Sequence, residues 1–347
     1  MTQRLQTFDL LKGVAVILMI QVHLVELFAT PKIYESMLGK ILLFLGGPPV
    51  APVFLFIFGF FIARGDKTVM QLLKRAGFIL LTGLLLNILL NLNFFFSIFK
   101  GEFSYSIWPY VFGVDILINA SFSLLFVALL RVINKENIML YIILALISAF
   151  MGRYLLKYTP HGNYQYLLSI FYGASKWSYF PLFPWLAYTL SGYAFCLIRK
   201  KNDLAFLNNV KGKIITWAAG LVFLLLTLRF AVLIASNLPL YYHHGYIFFL
   251  WVIIFMAFYG FVIDEINRLA GRTLLFRYLR WLGENVTLIY IIQWLIIGNT
   301  ATAVFRSVSS PWILLLSFAG VLLVSSLLAY AIRKSFLEDN TNRLPIP

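Results

Sequence analysis

Residues 13–30, "GVAVILMIQVHLVELFAT", form an apolar run with His23 and Glu26 inside it. Eighteen or more predominantly apolar residues read as a helix that crosses a bilayer, because roughly 20 residues are needed to span a hydrocarbon core about 30 Å thick. Working outward, windows of that kind recur near 8–30, 49–63, 74–95, 108–130, 138–156, 181–198, 213–235, 244–263, 281–299 and 311–332. The chain is 61% hydrophobic and only 12% charged, with mean hydropathy +0.88, which excludes an ordinary soluble domain. The expected fold is an all-α, polytopic membrane helix bundle of about ten transmembrane helices. Between the first two spans, "KIYESMLGKILLFLGG" reads as a short amphipathic piece lying on or dipping into the outer face. "LFATPK" is a poor cleavage site, so the first helix is read as retained.

The net charge of +15 does not indicate a nucleic-acid partner, because the basic residues fall between apolar segments. That placement serves topology and contact with anionic membrane lipid. With both termini in the cytoplasm, 19 of the 28 Lys and Arg fall on the inner side and 7 outside, which favours this orientation. The expected external loops, such as "KGEFSYSIWPY" and "SNLPLYYHHGY", are aromatic and polar. They suit a ring-shaped hydrated ligand, and equally the aromatic belt of any membrane interface. A single cysteine, Cys196, rules out an internal disulfide and a cysteine-based zinc cluster. Neither a repeat nor a low-complexity linker divides the chain, so residues 1–347 are expected to form one transmembrane domain.

Ionisable groups inside spans are costly and mark candidate sites. They are Lys12, His23 and Glu26 on the first helix, Asp115 on the fourth, Arg229 on the seventh and Glu284 at the start of the ninth. Eleven residues separate Lys12 from His23, which returns them to nearly the same helix face roughly 16 Å apart. By the same ruler Asp115 lies roughly 10 Å below Trp108, level with His23. A carboxylate on one imidazole nitrogen would fix the tautomer and leave the other nitrogen basic, the arrangement that orients a general base. Arg229 reaches the same outer zone and calls for Glu26 or Asp115 beside it, or an anionic ligand. An interhelical hydrogen bond for His23 and a structural Glu26–Arg229 pair are the alternatives. His243 and His244 stand in an expected external loop as candidates for acceptor binding. Without carboxylate partners they make no metal motif, and no metal is expected.

"FDLLKGVAVILMIQVHLVELF" resembles the first helix of membrane acyltransferases of the heparan-alpha-glucosaminide N-acetyltransferase type, related to acyltransferase family 3, whose signature is Arg, ten residues, then His. Lys12 stands at the Arg position, keeping the charge but losing the forked recognition of phosphate. Further pieces fall in the family's order: "PPVAPVFLFIFGFFIARG", "LLKRAGFILLTGLLLN", "WPYVFGVDILINASFSLLF", "FPLFPWLAYTLSGYAF" and "LGENVTLIYIIQWLI". The resemblance implies a membrane enzyme that takes an acyl group, commonly acetyl, from cytoplasmic acyl-CoA and passes it to a sugar or glycan on the far side. It makes His23 the reactive histidine and Lys12 its basic partner, Lys74 and Arg75 a basic pair for coenzyme A, and Asn285 and Gln293 polar positions of the late helix. The arginines of "RTLLFRYLR" are further candidates for the phosphates, and Gln293 for an oxyanion donor. A bacterial cytoplasmic membrane is the expected location and a homodimer a compatible assembly. A transporter or flippase of a lipid-linked sugar or small anion is the rival reading.

Overall fold

A computed structural model of the chain describes residues 5–201 and 209–342, with side chains to residue 335. Parts of the expected cytoplasmic loop "RKKND", of the tail "RKSFLEDNTNR" and of the N-terminus lie outside the described residues. In chain order the helices are α1 (Gln6–Phe28), α2 (Pro31–Tyr34), α3 (Met37–Gly46), α4 (Ala51–Arg64), α5 (Val69–Leu90), α6 (Leu92–Phe99), α7 (Trp108–Val111), α8 (Ile116–Asn134) and α9 (Ile138–Leu155). They continue with α10 (Gln165–Leu168), α11 (Leu182–Lys201), α12 (Val210–Ala235), α13 (Leu238–Tyr242), α14 (Tyr246–Ala270), α15 (Leu274–Glu284), α16 (Val286–Val304) and α17 (Pro311–Asn342). Among the described residues there is no strand, only the isolated bridges Ala29–Val308 and Val114–Ser178. The helices start where polar side chains take up orphan backbone N–H groups. Thr68 and Gln71 close a capping box on α5, and Ser36, Asn137, Asn209 and Thr273 cap α3, α9, α12 and α15.

Nine segments among the described residues are long and apolar enough to span, with α3 and α4 together, Met37–Arg64, making one of them. The tenth expected span is α11, which is not among the nine. Its helix is broken at Phe183, the run that follows ends in Arg199, Lys200 and Lys201, and Trp185, Tyr188, Thr189 and Tyr193 make it less apolar still. Those four side chains are buried among helices rather than facing lipid. α11 lies against α4 and α9. A Cβ on Gly59 would meet the Thr189 carbonyl, and one on Gly192 the Phe56 carbonyl. Two glycines thus let α4 and α11 approach backbone to backbone, as small residues do between membrane helices. α12 and α17 by contrast turn Leu225, Leu226, Leu316 and Leu327 outward.

α1 runs through the bundle and is held at both ends. At its start Thr7 donates to Asp264 of α14 at 2.6 Å, Gly13 lies on the Leu279 carbonyl, and Gly283 lies on the Asp9 carbonyl. At its finish Arg306 N–H donates to Leu27 O (2.8 Å), Val308 N–H to Phe28 O (2.9 Å) and Thr30 N–H to Val308 O (3.0 Å). The α1 start marks a basic end of the bundle and the α1 finish an aromatic end. The amphipathic piece after α1 dips in: Gly46 of α3 sits on Val22, and Gln21 donates to Leu42 O at 3.2 Å.

Candidate functional site

His23 sits five residues before the finish of α1, partly open although Val22, Leu24 and Val25 beside it are buried. Its Nδ1 is 3.2 Å from Oε1 of Gln293 on α16. Gln293 is fully buried, and its amide N–H donates to Tyr290 O at 3.3 Å, which turns the amide oxygen toward the histidine. Oε1 can only accept, so Nδ1 carries the proton and Nε2 is the basic nitrogen. The Trp294 indole packs against the imidazole, 4.0 Å centroid to centroid and tilted by 33°.

Asp115 is not the partner of His23. The expected continuous helix 108–130 is interrupted between α7 and α8, and Asp115 caps α8: Oδ1 accepts from Leu117 and Ile118 N–H, both at 3.0 Å. Oδ2 accepts from Tyr290 O–H at 3.2 Å. Asp115 and His23 thus bond to different side chains of α16, Tyr290 and Gln293.

The expected pairing of Arg229 with Glu26 or Asp115 is also absent. Arg229 lies on the exposed side of α12 with Leu225, Leu226 and Leu233, three and four residues away in the sequence and so on one helix face. Its length lets the guanidinium snorkel to the interface. Glu26 instead accepts from Tyr242 O–H at 3.4 Å, and Arg306 is its cationic neighbour. Arg306 spreads over Tyr34 and Phe305, 5.5 Å from each ring centre, with φ +50, an uncommon backbone for a non-glycine residue. Glu26, Tyr34, Tyr242 and Arg306 thus form a polar, aromatic cluster one helical turn beyond His23.

His244 is a structural residue. Its Nδ1–H donates to Tyr241 O at 2.7 Å and its Nε2 accepts from Tyr188 O–H at 2.8 Å, so both nitrogens are taken. Burial lowers its pKa to about 4 and does the same to His243, whose side chain is half-buried.

At the basic end Lys12 is bound to Asp9 at 2.8 Å and lies over the Phe61 ring, while Arg75 lies over Phe58 one turn along α4. α4 thus separates two of the expected anion-binding cations by one aromatic face. Lys74 is exposed beside Arg75. Asn285 sits at the bend between α15 and α16, donating to Trp281 O and accepting from Arg333 at 3.2 Å, apart from Gln293 by two helical turns. A cavity of about 750 Å³ opens beside the start of α1, lined by Gln6, Arg268, Arg272, Thr273, Arg277 and Arg280 among others. Arg280 is anchored on Asn267 and Gly271 O, and Arg268 on Asp264 and Glu265. Arg272 and Arg277 are exposed at its rim.

The candidate residues are therefore strung along α1, from an arginine-lined cavity at Gln6, past Lys12, to a histidine roughly 25 Å away and the Glu26 cluster just beyond it, with the buried Ala15, Val16 and Met19 packed between. Comparison with protein families gives this layout a class: a model described as an acyltransferase domain matches residues 5–330. The protein is a membrane acyltransferase by that measure. The chain belongs to acyltransferase family 3. Neither a curated protein nor a solved structure matches it.

Asp9, Tyr242, Tyr290, Trp294 and Arg306 were not singled out from the sequence. Asp9 is three residues before Lys12, a spacing that places two charges on one helix face and was a usable signal. The others are aromatic or loop residues whose neighbours only the tertiary structure supplies.

Proposed function

We propose that this acyltransferase moves an acyl group, acetyl in the first instance, from cytoplasmic acyl-CoA to a carbohydrate or glycan acceptor across the membrane. Within its family it is read as the heparan-alpha-glucosaminide N-acetyltransferase type, working in a bacterial cytoplasmic membrane. The observation that carries this reading is the 3.2 Å contact of His23 Nδ1 with Gln293 Oε1, which as a donated hydrogen bond leaves Nε2 as a base in a partly open position between an arginine-lined cavity and Glu26. The phosphates of coenzyme A would meet Arg272 and Arg277 by charge-assisted contacts, with Lys74, Arg75 and Lys12 nearer the bilayer. The pantetheine arm would then bring the thioester along α1. Nε2 takes the proton of an acceptor hydroxyl or amine as that atom attacks the thioester carbonyl. The carbon–sulfur bond breaks, and the imidazolium returns the proton to the departing thiolate. General base work of this kind contributes typically about 10² to 10⁴-fold. Glu26 and Tyr242 would hold the acceptor hydroxyls.

Coenzyme A added to the purified protein should raise its thermal midpoint, because a ligand that binds only the folded state stabilises it. His23→Ala should keep that shift and lose transfer of labelled acetyl from acetyl-CoA. A transporter of lipid-linked sugar would show no shift, and transfer by His23→Ala would remove His23 from the mechanism. Label that becomes bound to the protein in a single turnover without acceptor would make His23 a transient acyl carrier rather than a base.

A further inference from the structure

On the membrane-facing side of the same site, an apolar recess of about 260 Å³ lies between α1, α16 and α17, lined by Phe28, Ile296, Thr300, Ser317, Gly320 and Val321, among others. The Thr300 hydroxyl is turned into its own helix, donating to Ile296 O at 2.7 Å. A Cβ on Gly320 would meet open space, so the wall is cut back there. Along α17 the lining runs from Ser317 to Val324, roughly 9 to 20 Å below Pro311, which is the depth of one leaflet's hydrocarbon. The neighbouring Leu316, Leu323 and Leu327 face outward on a helix long and apolar enough to span a bilayer, so the surface around the recess suits lipid chains. Its volume is below the roughly 300–1,000 Å³ of pockets that enclose whole small molecules, and suits part of a single hydrocarbon chain.

The chain segment above the recess is tied to it. Arg306 N–H bonds Leu27 O and Val308 N–H bonds Phe28 O, so an exposed arginine stands on the strap over the recess wall. Guanidinium is the side chain best shaped for phosphate. Arg306 also neighbours Glu26, three residues from His23. We infer that the acceptor is membrane-borne: a glycan joined through phosphate to a long lipid, whose chain lies in the recess and whose phosphate meets Arg306. The sugar beyond the phosphate is thereby set over Glu26 and Tyr242, within a turn of the histidine. This inference rests on the acyltransferase reading and names the acceptor class for it.

The test uses the purified full chain in detergent, with a long-chain polyisoprenyl phosphate as probe, the corresponding polyisoprenol as its uncharged control, and native mass spectrometry as readout. Gly320→Phe and Ser317→Leu, each filling the recess from a membrane-facing helix, should weaken retention of both lipids at least tenfold. Arg306→Gln should weaken the phosphate three- to tenfold and leave the polyisoprenol unchanged. Equal retention by the wild type and both recess variants overturns the inference, as does an Arg306→Gln effect of the same size on both lipids. Stabilisation by coenzyme A is measured on every variant. If it persists while the lipid arm fails, only this inference falls; if the wild type lacks it, the acyltransferase reading falls whatever the lipid does.

Discussion

Gln293→Leu tests the centre of the mechanism. Leucine is close in volume and apolar, so the helix contacts of α16 survive, while the acceptor for His23 Nδ1–H at 3.2 Å is lost. Gln293 is fully buried, and no second acceptor for that proton is within reach among the described contacts. An unmade hydrogen bond on a buried donor costs about 1–3 kcal/mol. The imidazole can recover it by moving its proton to Nε2 or by rotating off Trp294, and either change removes the base. At 1.36 kcal/mol per decade, a loss of that size borne by the transition state lowers kcat about 5- to 150-fold. KM for acetyl-CoA should stay unchanged, because the arginine cavity lies roughly 25 Å along α1 from the histidine. The assay is incorporation of labelled acetyl from acetyl-CoA into membranes carrying the chain, with expression level and thermal midpoint as controls. Wild-type kcat in a folded Gln293→Leu would refute the orienting role of Gln293, and a rise in KM alone would assign it to donor binding.

Arg272→Gln together with Arg277→Gln should raise KM for acyl-CoA about tenfold or more with kcat retained, since each charge-assisted contact is worth about 1.5–3 kcal/mol; steady-state kinetics at two salt concentrations would show a weaker salt dependence in the double variant. Gly192→Val and Gly59→Val should each destabilise by about 1–3 kcal/mol or more, because the added side chain meets a backbone carbonyl that has no rotamer to yield; denaturant or thermal unfolding in detergent reads this directly. His244 makes the protein acid-sensitive. The unfolded histidine takes up a proton as pH falls through 6.5, while the folded one stays neutral to about 4. The unfolded state thus binds more protons in that window, and stability present above pH 6.5 is lost as pH falls toward 4, on the order of 3 kcal/mol. The thermal midpoint should drop less between pH 7 and 4.5 in His244→Gln than in the wild type, whereas an equal drop would assign the sensitivity elsewhere.

The membrane bundle was legible from run length, because solvation by hydrocarbon leaves a mark on every residue of a lipid-facing helix. α11 shows the limit of that mark. A helix enclosed by other helices is free to carry Tyr, Thr and Trp, so its composition reports protein neighbours instead of lipid. His23 and Lys12 stood out for the same reason in reverse, as polar groups in an apolar run. Their partners were less legible: Asp9 did not stand out, and Gln293 did so as a polar position and oxyanion donor, not as the partner of His23. Asp115 has the residue type and the approximate depth expected of an orienting carboxylate, yet the chain breaks before it and uses it as a helix cap. Gln293, a neutral side chain on a helix 270 residues away, takes the orienting position instead. Arg229 lies deep in an apolar run but on its outer side, and periodicity alone does not say which side of a helix faces the bundle when the run is apolar all round. Arg306 read as an ordinary loop cation because its neighbours Glu26 and Tyr34 are brought to it only by the strap after α16.

The fastening of α1 at both of its ends bears on how anything crosses this bundle. Glycine contacts to α15 hold its beginning, and the hydrogen-bonded 306–308 segment holds its end. A strut clamped in two places neither slides along its axis nor tips to face first one compartment and then the other. The histidine it carries is a stationary workbench, so under the proposed function the travel would belong to the molecules that come to it, one lengthwise from the arginines and the other from the opposite rim.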